Sequence, residues 1–411
     1  MRRMWAVLVL VVVLGCAAES HYHELALMYQ PRLQNGVIVG IEKYPWDKVD
    51  QKKGIDLLRY RQNVEKPELS RELQKYVAQS KAMIASHIIE YDNGIRREFY
   101  NNYIYSKRNI PGYGEGYKQL DRFREYLTLK LGQGKFTHLI LISMGWHNDQ
   151  YESLARYERM VAQIKIQADA IGVNFKPYIV GITWPSSWLH TSGYPDLERA
   201  GHALSYFNKA GDADEIGYTI GNYLVHNVIL AAVKDCGKRM RTIAIGHSLG
   251  ARLVSRALFS RGFLRTDLSL GRTFDLYIGL QPAFSANRFI EDGGIEGSPY
   301  SDFKNMQTNF LVTSSEFDKA NPIAFWSEHL GGKDAWDTVI ENEKDYHFLR
   351  AGASAGTIEN LAFEKLWTAE PGTVKFVECG FIEHHNDILD DEMGLFLLEV
   401  IRTLGIPKEE G

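Results

Sequence analysis

The chain has 411 residues, enough to bury one large core, and its 45% hydrophobic and 24% charged residues are the balance of a globular protein. A formal net charge of −4 gives no electrostatic reason to invoke nucleic acid or an anionic bilayer surface as partner. Aromatics reach 12%, with eight Trp, which suits a large core or an apolar cleft without choosing between them.

The first element is a leader. Arg2 and Arg3 are followed by an uninterrupted apolar run over 5–14. That run is about half of what a helix needs to cross a bilayer, so residues 1–15 read as a secretory signal rather than an anchor helix. The run closes on Val13-Leu14-Gly15-Cys16, which resembles the lipobox of bacterial lipoproteins. The resemblance implies cleavage before Cys16 and lipidation of its thiol, with a plain secretory signal as the alternative. It also implies attachment to the bacterial cell envelope. Ala17, where an Asp is absent, would permit sorting to the outer membrane. Residues 16–35 then read as a tether between lipid and domain, and 36–411 as the domain.

Within that domain, 67–80 reads as a helix, with Leu69, Leu73, Tyr76 and Val77 on one face. Two strand-like runs, 82–91 and 95–105, flank Asn93-Gly94 and predict an antiparallel hairpin. From about residue 117 the pattern becomes helix alternating with buried strand. The apolar runs are 138–143, 178–183, 242–246, 274–280, 309–313 and 373–378. A helix with Leu154, Tyr157, Val161, Ile164 and Ala168 on one stripe ends at Gly172, and a last helix fills 387–404. Near-continuous apolar strands separated by helices predict an α/β fold, a mostly parallel sheet covered on both faces. This topology puts Cys236 and Cys379 at opposite ends of the sheet, so no disulfide is expected, and neither has a metal-ligand spacing.

The chemistry gathers around Gly246-His247-Ser248-Leu249-Gly250, between a strand and a helix carrying Ala251, Val254 and Leu258 on one face. A Ser on a sharp strand-to-helix turn is crowded, and glycines two residues before and after remove side chains that would clash. The helix N-terminus adds free N–H groups where negative charge develops in acyl transfer. With this context the chain resembles the α/β-hydrolase superfamily, lipase- or esterase-like, over most of 135–404. Ser143-Met144-Gly145-Trp146-His147-Asn148-Asp149 stands where that family has its oxyanion loop, and Trp184-Pro185-Ser186 resembles a strand end of a bacterial lipase-like branch. Met144 departs from the family's usual His, which puts the detailed geometry of the hole in question.

The resemblance implies Ser248 as nucleophile, main-chain N–H groups of Trp146 and Leu249 as oxyanion hole, then an acid and a His in that chain order. The acid is Asp318, with Glu316 as competitor. The base is His385, in the run His385-Asn386-Asp387-Ile388, with His384 as alternative. Asn148 is either a further donor or a loop cap. Insertions near 184–213, 284–308 and 319–372 are expected to border the cleft. The expectation is a serine hydrolase that cleaves carboxylic esters of small molecules or lipids through an acyl-enzyme, without cofactor or metal. The alternatives are acyl transfer on the same triad and a non-catalytic binding lipoprotein on the same scaffold.

Overall fold

The structure is a computed structural model, and it describes residues 33–45, 81–101, 113–146, 148–186, 206, 209–260, 273–290, 307–318, 329–354, 356–367 and 373–404. The leader, Cys16, the tether up to residue 32 and the helix expected over 67–80 lie outside the described residues. In chain order the elements are β1 (Gly36–Pro45), β2 (Lys81–Asp92), β3 (Ile95–Asn101), α1 (Tyr113–Gln133), β4 (His138–Ser143), α2 (Gln150–Ala170) and β5 (Pro177–Thr183). They continue with α3 (Lys209–Asp235), β6 (Arg241–His247), α4 (Leu249–Phe259), β7 (Leu276–Leu280), β8 (Asn309–Ser314) and α5 (Trp336–Glu341). The last are β9 (Tyr346–Ser354), β10 (Thr357–Glu359), β11 (Val374–Cys379) and α6 (Asp391–Thr403).

The strands form one sheet in the order β10-β9-β11-β8-β7-β6-β4-β5-β1-β2-β3. From β9 across to β1 every pairing is parallel. The expected hairpin is present as β2 and β3, joined by Asn93 and Gly94, both at positive φ. The sheet is therefore mixed and mostly parallel, and the chain is of the α/β class. Alternate strand residues feed two cores, as the period of two requires. Val37, Leu139, Leu141 and Ala244 face α1, α3, α4 and α5, while Ile38, Ile140, Ile142 and Ile245 face α2 and α6.

Three parts of the fold stand out among those not foreseen. β1 adds a strand at the start of the domain, and β9 with β10 lie inside 319–372, where they extend the sheet edge. The third is α3, with two π-helical stretches, Gly217–Gly221 and Leu224–Ile229. It is long and apolar enough to cross a membrane, but 89% of its apolar window is buried against the protein's own core. Its charged residues are paired inside that core, Asp212 with Lys43 and Asp214 with Arg252.

Parallel strands point their carboxyl ends the same way, so the segments after β4, β6, β8 and β11 emerge together. Chain order reverses between β4 and β6, since β5 lies beyond β4 on one side and β7 beyond β6 on the other. At such a point the two following loops diverge and leave a crevice.

Candidate active site

Ser248 occupies that crevice. It follows β6, caps α4, and holds φ 54° and ψ −124°. Side-chain-bearing residues rarely adopt this backbone region, and its strain persists only where surrounding bonds impose it. Here Ser248 N donates to Leu280 O at 3.0 Å, and Ser248 O accepts from Ala283 N and Ala251 N, both at 3.1 Å. The glycines allow the close approaches. A Cβ on Gly246 would lie 2.3 Å from Ala251 Cα and push α4 off the strand end, and one on Gly250 would lie 2.3 Å from Ser143 O and force the turn off the β4 loop.

The β4 loop passes directly over the Ser. A Cβ on Gly145 would come within 2.5 Å of Ser248 Cβ and 3.0 Å of Leu249 N. Leu249 is the first residue of α4, so its N–H is among the donors that a helix leaves without an intrahelical partner. Trp146 follows Gly145 in the same loop. Met144 is buried, and neighbouring side chains hold the loop. Trp184 Nε1 donates to Met144 O at 2.9 Å, and Ser186 Oγ bridges Asn148, accepting from its N at 3.1 Å and donating to its O at 2.8 Å. The Asn148 amide donates to Gly145 O at 3.1 Å and Trp146 O at 3.0 Å, which is the loop-capping alternative. Tyr157, from α2, donates to Ile182 O at 2.7 Å beneath this loop. Trp184, Ser186 and Tyr157 thus support the loop, and only the Trp-Pro-Ser run hinted at it in the sequence.

After β8, Asp318 lies in a turn closed by Asp318 N to Ser315 O at 3.3 Å. Its Oδ2 accepts from His385 Nδ1 at 2.8 Å. Glu316, the competitor, is turned to solvent and meets Lys333 at 3.4 Å, with 45% of its side chain exposed. After β11, His385 sits in a turn that Asp387 closes by accepting from His384 N at 2.7 Å. The His384 side chain is exposed. Ser315 Oγ donates to Ile382 O at 2.6 Å, fastening the acid loop to the His loop, and Arg156 of α2 donates to Asn386 Oδ1 at 2.9 Å.

Asp318 and His385 are therefore brought together, and His385 lies against the strand that carries Ser248. The His247 ring, one residue before the Ser, is 4.7 Å from the His385 ring between centroids. The Ser248 hydroxyl itself makes no hydrogen bond among the described residues, and Ser248 is only 5% exposed. A cavity of about 430 Å³ lined by Leu33, Phe136, Val161, Phe175 and Ile179 opens at the amino ends of β4 and β5. That is the opposite end of the sheet from Ser248, so it is no part of this site.

No protein-family model and no curated protein sequence matches the chain. Among solved structures it is similar to an α/β serine hydrolase without a lid from Xanthomonas campestris, at 11% identity and a TM-score of 0.25. The alignment covers 64% of this chain and 80% of that one.

Proposed function

We propose that this chain is a serine hydrolase of the α/β-hydrolase type, acting on carboxylic esters. The observation that carries the reading is a Ser at φ 54° on a strand-to-helix turn, whose preceding residue touches a His held by a carboxylate at 2.8 Å. In this reading Ser248 Oγ attacks the ester carbonyl while His385 Nε2 takes its proton. Asp318 keeps the imidazole in the tautomer with hydrogen on Nδ1 and stabilises the imidazolium that forms. The N–H groups of Leu249 and Trp146 receive the oxyanion. His385 then returns the proton to the leaving alkoxide, and water, activated by the same His, releases the acid and restores Ser248.

A fluorophosphonate probe tests this. The wild-type chain should be labelled at Ser248 and should hydrolyse p-nitrophenyl acetate. Ser248→Ala should lose labelling and on the order of 10³-fold or more in rate. Equal turnover by the two proteins would place the chemistry elsewhere.

We also propose that Cys16 is lipidated and holds the protein at a bacterial envelope, on the support of Arg2, Arg3 and the apolar run ending in Leu14-Gly15-Cys16. Expressed in a bacterium, the chain should incorporate labelled palmitate and enter the detergent phase. A Cys16→Ala variant that is still acylated overturns it.

A further inference from the structure

We propose that His247 is a positioning residue for the base: from the strand that carries Ser248 it grips the main chain of His385 and so sets the separation of nucleophile and base. The proposal rests on the reading of Ser248, Asp318 and His385 given above.

His247 is the last residue of β6 and is 2% exposed. Its Nε2 lies 2.9 Å from the main-chain oxygen of His385. A carbonyl oxygen can only accept, so Nε2 carries the hydrogen and donates it. Nδ1 is buried and has no partner among the described residues, so the ring's one hydrogen bond is the grip on His385. Burial holds this imidazole neutral, and the neighbouring His385 and Arg156 push in the same direction against the bond to the His385 carbonyl. A neutral ring does not compete with His385 for Asp318.

The remaining fastenings of the His385 turn lead elsewhere. Ser315 ties it to the β8 loop, Arg156 to α2, and Asp387 to itself. Among the described residues, the His247 bond alone connects that turn to the β6 strand and its Ser. Ser248 and His385 come from different strands, β6 and β11, with β7 and β8 between them. A direct strut between the two loops therefore fixes a distance that the sheet spacing leaves loose. Errors of about 1 Å at a reacting centre can cost on the order of a hundredfold in rate.

Full-length wild type, His247→Gln and His247→Leu are compared. Gln places an amide nitrogen near the original Nε2 and can donate, while Leu fills space without donating. His247→Leu should lower kcat and the fluorophosphonate labelling rate by roughly ten- to a hundredfold. KM should stay within about threefold, and His247→Gln should recover most of the rate. In proton spectra, the downfield resonance of the His385 Nδ1 hydrogen should persist in His247→Gln and broaden or vanish in His247→Leu. Wild-type rates in His247→Leu, or a Gln variant as impaired as the Leu variant at equal thermal stability, overturn the proposal. If His247→Leu does not fold, His247→Asn, whose shorter amide cannot reach the carbonyl, takes its place. If the wild type does not label, the hydrolase reading fails, and the His385 resonance alone decides whether His247 holds that ring.

Discussion

Asp318 and Glu316 lie two residues apart in one loop, yet one carboxylate faces His385 and the other faces Lys333 and solvent. The turn closed on Ser315 decides this, because adjacent positions in a turn project in different directions. Asp318→Asn should therefore lower kcat by roughly 10³–10⁴-fold, since an amide can donate to His385 Nδ1 and favour the wrong tautomer. Glu316→Gln should stay within about threefold of wild type, as expected of an exposed ion pair. Steady-state kinetics on one activated ester reads both, and the reverse ranking would move the acid to Glu316. The same logic separates His385 from His384. The sequence preferred His385 with His384 as alternative, and in the Asp387-capped turn His385 is the one that meets a carboxylate.

At the scale of elements, the β4 loop is held by its neighbours more than by its own residues. Met144 stands where a self-ordering His was expected, and the Trp184 indole reaches across from the end of β5 to hold its carbonyl. Trp184→Phe keeps the ring's bulk and removes that donor. It should cost about 1–3 kcal/mol of stability, because a buried carbonyl loses its partner. If the loop supplies the oxyanion donors, kcat should fall roughly tenfold with little change in KM. An unchanged kcat in a destabilised variant would reduce Trp184 to a packing role. Helices divide into those visible in the sequence and those not. α2 was legible from its apolar stripe and its closing Gly172 at φ 71°, while the structure starts it with a capping box between Asp149 and Glu152. α3 was not legible because it is buried on nearly every side, and even its charged residues such as Asp214 are held inside the core.

Across the whole molecule, stability should depend on pH through imidazoles buried uncharged. Burial pushes His87 down to about 3 and His138 down to about 4, and it lowers His247 as well. In the unfolded chain each takes a proton near its ordinary value of 6.5. Between that value and the folded one the unfolded state binds more protons, so stability falls as pH drops below 6.5. The slope is about 1.4 kcal/mol per pH unit for each such His. Urea unfolding between pH 7 and 5 should show this, and His87→Gln should flatten the slope by about one proton. An unchanged slope would mean that His87 titrates alike in both states. Asp214 adds a second dependence at lower pH. The guanidinium groups of Arg252, Arg288 and Arg256 hold its carboxyl well below the usual range, against its burial. Its contribution is present above the ordinary carboxylate pKa and is lost as pH falls through the depressed one.

Composition, strand-like runs and turn residues were enough to determine the α/β class, the β2–β3 hairpin, the central parallel strands and the strand-turn-helix bearing Ser248. These are local properties, because period, apolar run length and glycine placement are written along the chain. Long-range pairing was not legible. The strand β1, the edge pair β9 and β10, and the almost fully buried α3 take their character from partners distant in sequence. Candidate site residues were legible as types in a chain order, with Asp318 preferred to Glu316 and His385 to His384. The contact between Asp318 and His385 and the ties from Trp184 and His247 were not, since they depend on loops from separate strands meeting at one end of the sheet. Directions of side chains in such loops are set by hydrogen bonds to other loops, and only the tertiary structure contains those.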